Sequence, residues 1–178
     1  LKYDGDMMMN GQTDAILKTK RLRLRYQENT DLDFLIKLWT DPEITKYVGG
    51  PRTKESLEKN FNETAADPQK EEYDLRYVVL KETNELIGMA GIIPKDIEGQ
   101  NFYEINYYID KNHQNIGFAA EIAAGILSHH REKAGINTFI VIIDKNNIAS
   151  IKVAEKIGFR FWKTVTRSSG PKDIYRID

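Results

Sequence analysis

Cysteine is absent from all 178 residues, which excludes disulfides, thiolate-held metal and a cysteine nucleophile. A surplus of charge of either sign is missing too. The 26 Lys and Arg stand against 27 Asp and Glu, a formal net charge of -1, so no global field draws the chain to nucleic acid or to an anionic membrane. Long apolar runs are lacking. The longest clean one, Phe139 to Ile143, falls far short of the ~20 residues of a membrane-spanning helix. The first 18 residues show neither a basic start followed by an apolar block nor a helical period, and are expected to form a loose tail. What remains is an ordinary globular composition, with enough chain over 19–178 for one domain that needs no staple. The simplest setting is cytoplasmic, and the simplest partner is a small molecule or a peptide.

Hydrophobic periodicity lays out a mixed α/β chain. Arg21 to Tyr26 alternates charged and apolar residues, the period of a strand with one buried face. Thr30 is placed to N-cap a helix carrying Leu32, Leu35, Ile36 and Trp39, and Asp41-Pro42 ends it. A second helix is predicted from about Lys54, with Leu57, Phe61 and Ala65 one turn apart. Strands follow over 75–81 and 85–93, joined by Glu82-Thr83-Asn84, and a third over 102–109 after a polar turn at 96–100. A helix from about Gly117 to Lys133 stops at Gly135, an apolar strand covers 138–143, and Asn147 caps a helix that Gly158 terminates. Strands at 159–166 and 174–177, joined by Arg-Ser-Ser-Gly-Pro-Lys-Asp, close the chain.

The stretch from Tyr103 to Glu121 is strand, turn and helix start, with Gln114-Asn115-Ile116-Gly117-Phe118-Ala119 at the turn. The first N–H groups of a helix have no partner inside it and point outward together, which suits phosphate oxygens. Any strand-to-helix connection can use glycine in this way. A Walker loop is excluded because no Gly-Lys-Ser/Thr follows, and the dinucleotide fingerprint fails for want of further glycines.

A second stretch, Asn147-Ile148-Ala149-Ser150-Ile151-Lys152-Val153-Ala154-Glu155-Lys156-Ile157-Gly158-Phe159, reads by itself as a capped amphipathic helix. Together the two stretches resemble the GNAT superfamily of acyl-CoA-dependent N-acyltransferases, whose Q/R-x-x-G-x-G/A matches Gln114 to Ala119. The openings Thr19 to Arg25 and Leu38 to Glu43, with Leu86-Ile87-Gly88, are similar to the branch of RimJ and RimL, acetyltransferases of ribosomal-protein N-termini. The likeness spans about residues 19 to 178.

That resemblance implies a mixed, mostly antiparallel sheet with helices on both faces, and transfer of acetyl from acetyl-CoA to a primary amine. The N–H groups of Asn115, Ile116, Gly117, Phe118, Ala119 and Ala120 would seat the pyrophosphate, with Gln114 opening the turn. Tyr107, Tyr108 and Ile109 would border the pantetheine arm, and Asn147 would bond its amides. Glu104 is the implied base, or else a salt-bridged strand carboxylate. The family tyrosine that meets the leaving thiolate is replaced by Ala154, so Ser150 is the expected substitute, though a helical serine can also bond back to a carbonyl. The acceptor is expected to be a protein or peptide N-terminus, with a small amine such as a polyamine, aminoglycoside or amino-acid derivative as the alternative. A sensor that binds acyl-CoA without turnover is a third reading. No metal, nucleic acid or membrane is implied, and homodimers are frequent among such proteins.

Other residues are less informative. His129 and His130 are adjacent on a helix and diverge by about 100°, so they do not chelate a metal. His113 lies beside the turn. Tyr47, Trp39, Tyr107, Tyr108 and Trp162 either wall an acceptor cleft or belong to the core.

Overall fold

The computed structural model of the protein describes residues 15–167 and 170–178. Strands β1 (Leu17–Lys18) and β2 (Leu22–Arg25) lead into helices α1 (Leu32–Thr40), α2 (Pro42–Thr45) and α3 (Lys54–Ala66). Strands β3 (Leu75–Leu80), β4 (Leu86–Ile97) and β5 (Gln100–Ile109) follow. Then come a 3-10 turn at Lys111–His113 and α4 (Phe118–Ala134). The chain ends with β6 (Phe139–Ile143), α5 (Ile148–Lys156), β7 (Arg160–Arg167) and β8 (Gly170–Ile177).

One eight-stranded sheet forms in the order β1-β2-β3-β4-β5-β6-β8-β7. Every pairing is antiparallel except β5 with β6. The helices cover both faces, as the sequence leads one to expect. On one face Leu22, Leu24, Val78, Ile105 and Val141 pack beneath Phe118, Ile122 and Ile126 of α4 and Ala154 of α5. On the other, Leu35, Trp39, Leu57 and Phe61 of α1 and α3 pack on Tyr77 and Met89. The alternation Tyr77/Val78 shows the period of 2 dividing one strand between two cores.

The element boundaries differ from the sequence expectation in ways with physical causes. Leu17–Lys18 pairs with β2 and Leu17 is buried, so order begins ahead of Thr19; residues 1–14 of the expected tail lie outside the described residues. Asp31 rather than Thr30 sits at the N-cap of α1, without a side-chain cap bond. Its carboxylate is taken by Arg25 in a buried two-pronged pair at 2.7 and 2.8 Å. Asp41-Pro42 does not only end a helix: Asp41 accepts from the Glu43 N–H and starts α2, with Pro42 in the first turn. The polar turn expected at 96–100 shrinks to Glu98-Gly99, both at positive φ, because β4 and β5 pair out to Ile97 and Gln100. The loop expected at 167–173 is likewise shorter. Arg167 pairs with Gly170, and Ser168 and Ser169 lie outside the described residues.

Gly88 is a requirement of packing. A Cβ there would lie 2.3 Å from the Tyr108 carbonyl oxygen, so only glycine lets β4 press against the end of β5. No helix among the described residues is long and apolar enough to cross a membrane.

Candidate active site

The parallel pair at the centre of the sheet is brief. β5 and β6 are paired at Tyr103↔Phe139 and Glu104↔Ile140, while β5 continues to Ile109 and β6 to Ile143. A cleft of about 490 Å³ opens where they part. Its walls are Glu104 to Ile109 of β5, Val141 to Asp144 at the end of β6, the turn and first residues of α4, and one side of α5. Glu43, Ile44, Tyr47 and Val48 close the far side.

The turn into α4 has two residues in the left-handed region, Asn115 at φ 63° and Gly117 at φ 88°. Asparagine tolerates that region and glycine occupies it freely. The Glu121 N–H donates to the Gly117 carbonyl at 3.0 Å, the first bond of the helix. The N–H groups of Phe118, Ala119 and Ala120 therefore precede the helical ladder and are free for an anion, with the helix dipole behind them. Gln114 fastens the turn to the strand end: its side-chain amide donates to the Ile109 carbonyl at 2.9 Å.

Of the turn residues, Gln114, Asn115, Gly117, Phe118, Ala119 and Ala120 line the cleft, but Ile116 does not. Its side chain is exposed and its carbonyl accepts from Arg21. Tyr107, Tyr108 and Ile109 line the cleft beside them. The Tyr107 hydroxyl donates to the Ser150 carbonyl at 3.1 Å, and burial pushes both tyrosines above the ordinary phenol value. Asn147 caps α5, its side-chain oxygen accepting from the Ser150 N–H at 3.2 Å. That leaves its NH2 for a ligand carbonyl.

Glu104 lies at the floor of the gap, 7% exposed. Burial raises its pKa above the usual carboxylate value, and Lys95, 3.6 Å away, opposes the shift without cancelling it. Alternation along β5 puts Glu104, Asn106 and Tyr108 on the α1–α3 face and Tyr103, Ile105 and Tyr107 on the α4–α5 face. The Tyr108 hydroxyl donates to Asn106 Oδ1 at 3.2 Å. The Ser150 hydroxyl lies within hydrogen-bonding reach of the Tyr107 phenol, and among the described residues no bond runs from it back to a helix carbonyl, the alternative role for a helical serine.

Of the aromatics named from sequence, Tyr47, Tyr107 and Tyr108 line the cleft. Trp39 is core, its indole N–H 3.3 Å from the Met89 sulfur. Trp162 packs on Phe102 across the sheet. His113 lines the cleft, with Nε2 3.6 Å from Glu85. Sequence reasoning missed the α2 wall, for which Pro42 at a helix start was the available signal. It also missed Asp144, held below its ordinary pKa by a 2.7 Å bond from the buried Lys172. Lys172 also donates to the Tyr47 carbonyl at 3.4 Å, tying β8 to the far wall.

Residues 21–160 match the family model described as acetyltransferase (GNAT) domain. The uncharacterized protein YkkB of Bacillus subtilis is 32% identical over 94% of this chain and 96% of its own length. The uncharacterized N-acetyltransferase p20 of Bacillus licheniformis is 32% identical over 81% of this chain and 82% of its own. Among solved structures, an acetyltransferase from Agrobacterium tumefaciens superposes with a TM-score of 0.77 at 26% identity, covering 94% of this chain and 95% of that one. Two more distant structures share the fold. One is a Salmonella typhimurium acetyl transferase that modifies the N-terminal serine of a 50S ribosomal subunit protein, at TM-score 0.76 and 16% identity over 93% of this chain and 99% of that one. The other is the spermidine N-acetyltransferase of Vibrio cholerae, at TM-score 0.73 and 19% identity over 88% and 95%.

Proposed function

This chain belongs to the GNAT acetyltransferase family, and from that premise we propose that it acetylates the N-terminal amine of a protein or peptide. It is an acetyl-CoA-dependent N-acetyltransferase; the proposal concerns the acceptor and the residues that act.

The cleft fits the thioester substrate on its own evidence. Outward N–H groups at the start of α4 suit a diphosphate, and the unpaired edge of β5 beyond Glu104 suits the peptide-like amides of a pantetheine arm, which would add to it as a strand does. Asn147 supplies a further donor. Charges of both signs line the cleft, Lys152 and Lys156 from α5 and Glu43, Glu104 and Asp144 from α2, β5 and the residue after β6.

Acyl transfer forms a C–N bond and breaks a C–S bond, and it needs an amine without its extra proton. Glu104 would take that proton, directly or through water, and the Ser150 hydroxyl would donate a hydrogen bond to the departing thiolate. The observation that carries the reading is the burial of Glu104 in the wall of the gap. A carboxylate with a raised pKa suits an N-terminal amine of pKa ~7.7–8.0 better than a lysine or polyamine amine near ~10.4, because less proton affinity must be overcome.

A second reading, a small polycationic amine, is favoured by Glu43 at the exposed rim, the acidic wall residue with no ion pair among the described residues. Release of CoA from acetyl-CoA, measured against peptides differing in their N-terminal residue and against spermidine and spermine, decides between them. Turnover with peptides and none with polyamines supports the proposal; the reverse overturns it in favour of the second reading, and no release with any amine overturns both acceptors.

A further inference from the structure

Glu121 lies in the first turn of α4, just behind N–H groups read here as the seat of a diphosphate. Bare, its charge would repel that ligand across a few ångströms of partly desolvated space. It is not bare. The Thr19 hydroxyl donates to Oε1 at 2.6 Å, the Arg21 backbone N–H donates to the same oxygen at 2.7 Å, and Arg21 Nε donates to Oε2 at 2.6 Å. Although burial alone would raise its pKa, these bonds hold the carboxyl below its ordinary value.

Arg21 also reaches the turn itself. Its Nη1 donates to the Ile116 carbonyl at 3.1 Å, and its guanidinium lies 4.3 Å over the Phe118 ring. One end of the turn is thereby pinned with its oxygen directed to Arg21. The backbone carrying Arg21 is held in its own right. Lys81 Nζ donates to the carbonyls of Thr19 and Lys20 at 3.1 and 3.3 Å. Behind it, Thr19 presses on α4 so closely that a Cβ on Gly125 would lie 2.7 Å from the threonine methyl.

We infer that Arg21 is a positioning residue of the cofactor seat, cancelling the charge of Glu121 and fixing the Ile116 carbonyl so that the N–H groups of the turn face the cleft. The inference rests on the reading of residues 115–120 as that seat.

The test compares Arg21→Ala, Arg21→Lys and the double variant Arg21→Ala/Glu121→Gln, with binding of acetyl-CoA by calorimetry and steady-state kinetics. Arg21→Ala is expected to raise Kd and KM for acetyl-CoA about tenfold, equivalent to about 1.4 kcal/mol, with a smaller effect on kcat and none on KM for the acceptor. Adding Glu121→Gln removes the repelling charge, so part of the affinity returns, and the gain shrinks as salt is raised. Arg21→Lys keeps the charge without the fork and lies between wild type and Arg21→Ala. Wild-type affinity in Arg21→Ala overturns the inference, as does a double variant no tighter than the single one at low salt. Gly117→Glu separates the two levels. If it binds acetyl-CoA normally, the seat itself is wrong; if it fails to bind while the Arg21 variants bind normally, only the role of Arg21 falls.

Discussion

Glu104 and Ser150 reach one cleft from opposite faces of the sheet. Glu104 shares its face with Asn106 and Tyr108, toward α1 and α3, whereas Ser150 on α5 lies over Tyr107, whose hydroxyl bonds its carbonyl. A proton acceptor on one side and a hydroxyl donor on the other suit an amine arriving from the α2 side and a thiol departing toward α4 and α5. The parting of β5 from β6 makes such an arrangement available, since an unbroken sheet would screen the two residues from each other.

The pH dependence follows from the burial of Glu104. As a base it must be ionised, and burial moves its pKa up. The acidic limb of kcat/KM is therefore expected above the ordinary carboxylate value of 4.5. Lys95 opposes that shift, so Lys95→Met moves the limb higher still. Glu104→Gln removes the limb and lowers kcat/KM by ~10²–10⁴. An unaltered profile in Glu104→Gln ends its role as base.

The same residue predicts a stability effect of opposite sign. With a folded-state pKa above its unfolded value, Glu104 contributes stability that is complete below the unfolded pKa and is lost as pH rises through the folded one. Glu104→Gln should thus melt above wild type at pH 8, and the difference should vanish toward pH 4. Thermal unfolding at the two pH values checks it.

Ser150→Ala isolates the hydroxyl, because the backbone N–H that caps on Asn147 and the carbonyl that accepts from Tyr107 both remain. The expected result is a fall in kcat with acetyl-CoA affinity retained. A poorer leaving group should be hit harder, so alternative thioesters of differing thiol pKa provide the readout. Equal loss across that series would make the serine structural.

Gly117 has room for a side chain, since the nearest atom to an added Cβ is Arg21 Nη2 at 3.5 Å, yet its φ of +88° disfavours one. Gly117→Ala therefore tests backbone strain alone and should cost ~1–2 kcal/mol of stability. Gly117→Glu adds a negative charge at the turn and should weaken acetyl-CoA binding by well over the loss seen for alanine. Calorimetry on both variants measures the difference.

Gly88→Ala should be strongly disruptive for so small a substitution. The added Cβ meets a backbone oxygen at 2.3 Å rather than a flexible side chain, so relief requires β5 to shift at Tyr108 and Ile109. A loss of ~2–4 kcal/mol in denaturant unfolding is expected, together with weaker acetyl-CoA binding.

The sequence carried what local chemistry decides. Alternation in Arg21 to Tyr26, the helical spacing of Leu35 and Trp39, and the glycine at 117 each follow from one residue's neighbours along the chain, and each element formed. Asp31 could not be foreseen as the residue preceding α1, because its carboxylate is claimed by Arg25 on a strand six residues earlier. Nor could the length of β4 and β5, where cross-strand pairing recruits polar residues such as Asp96 and Asn101. The residues proposed to hold the cofactor lie in two contiguous motifs visible in the sequence, and the fold brings both to one cleft. The opposite wall of the cleft is assembled from α2, the end of β6 and a contact from β8, so Glu43, Asp144 and Lys172 had no shared signal in the sequence.

The short pairing of β5 with β6 has one more consequence. An extended ligand lying along the free edge of β5 would complete the seam that the chain leaves half sewn, making occupancy a component of mechanical integrity. Ligand at one hundred times its Kd adds about 2.7 kcal/mol to the folded state. Slow hydrogen exchange along residues 105–109 and resistance to proteolysis would then rise and fall with the supply of acetyl-CoA, so that the enzyme is toughest when it has work to do.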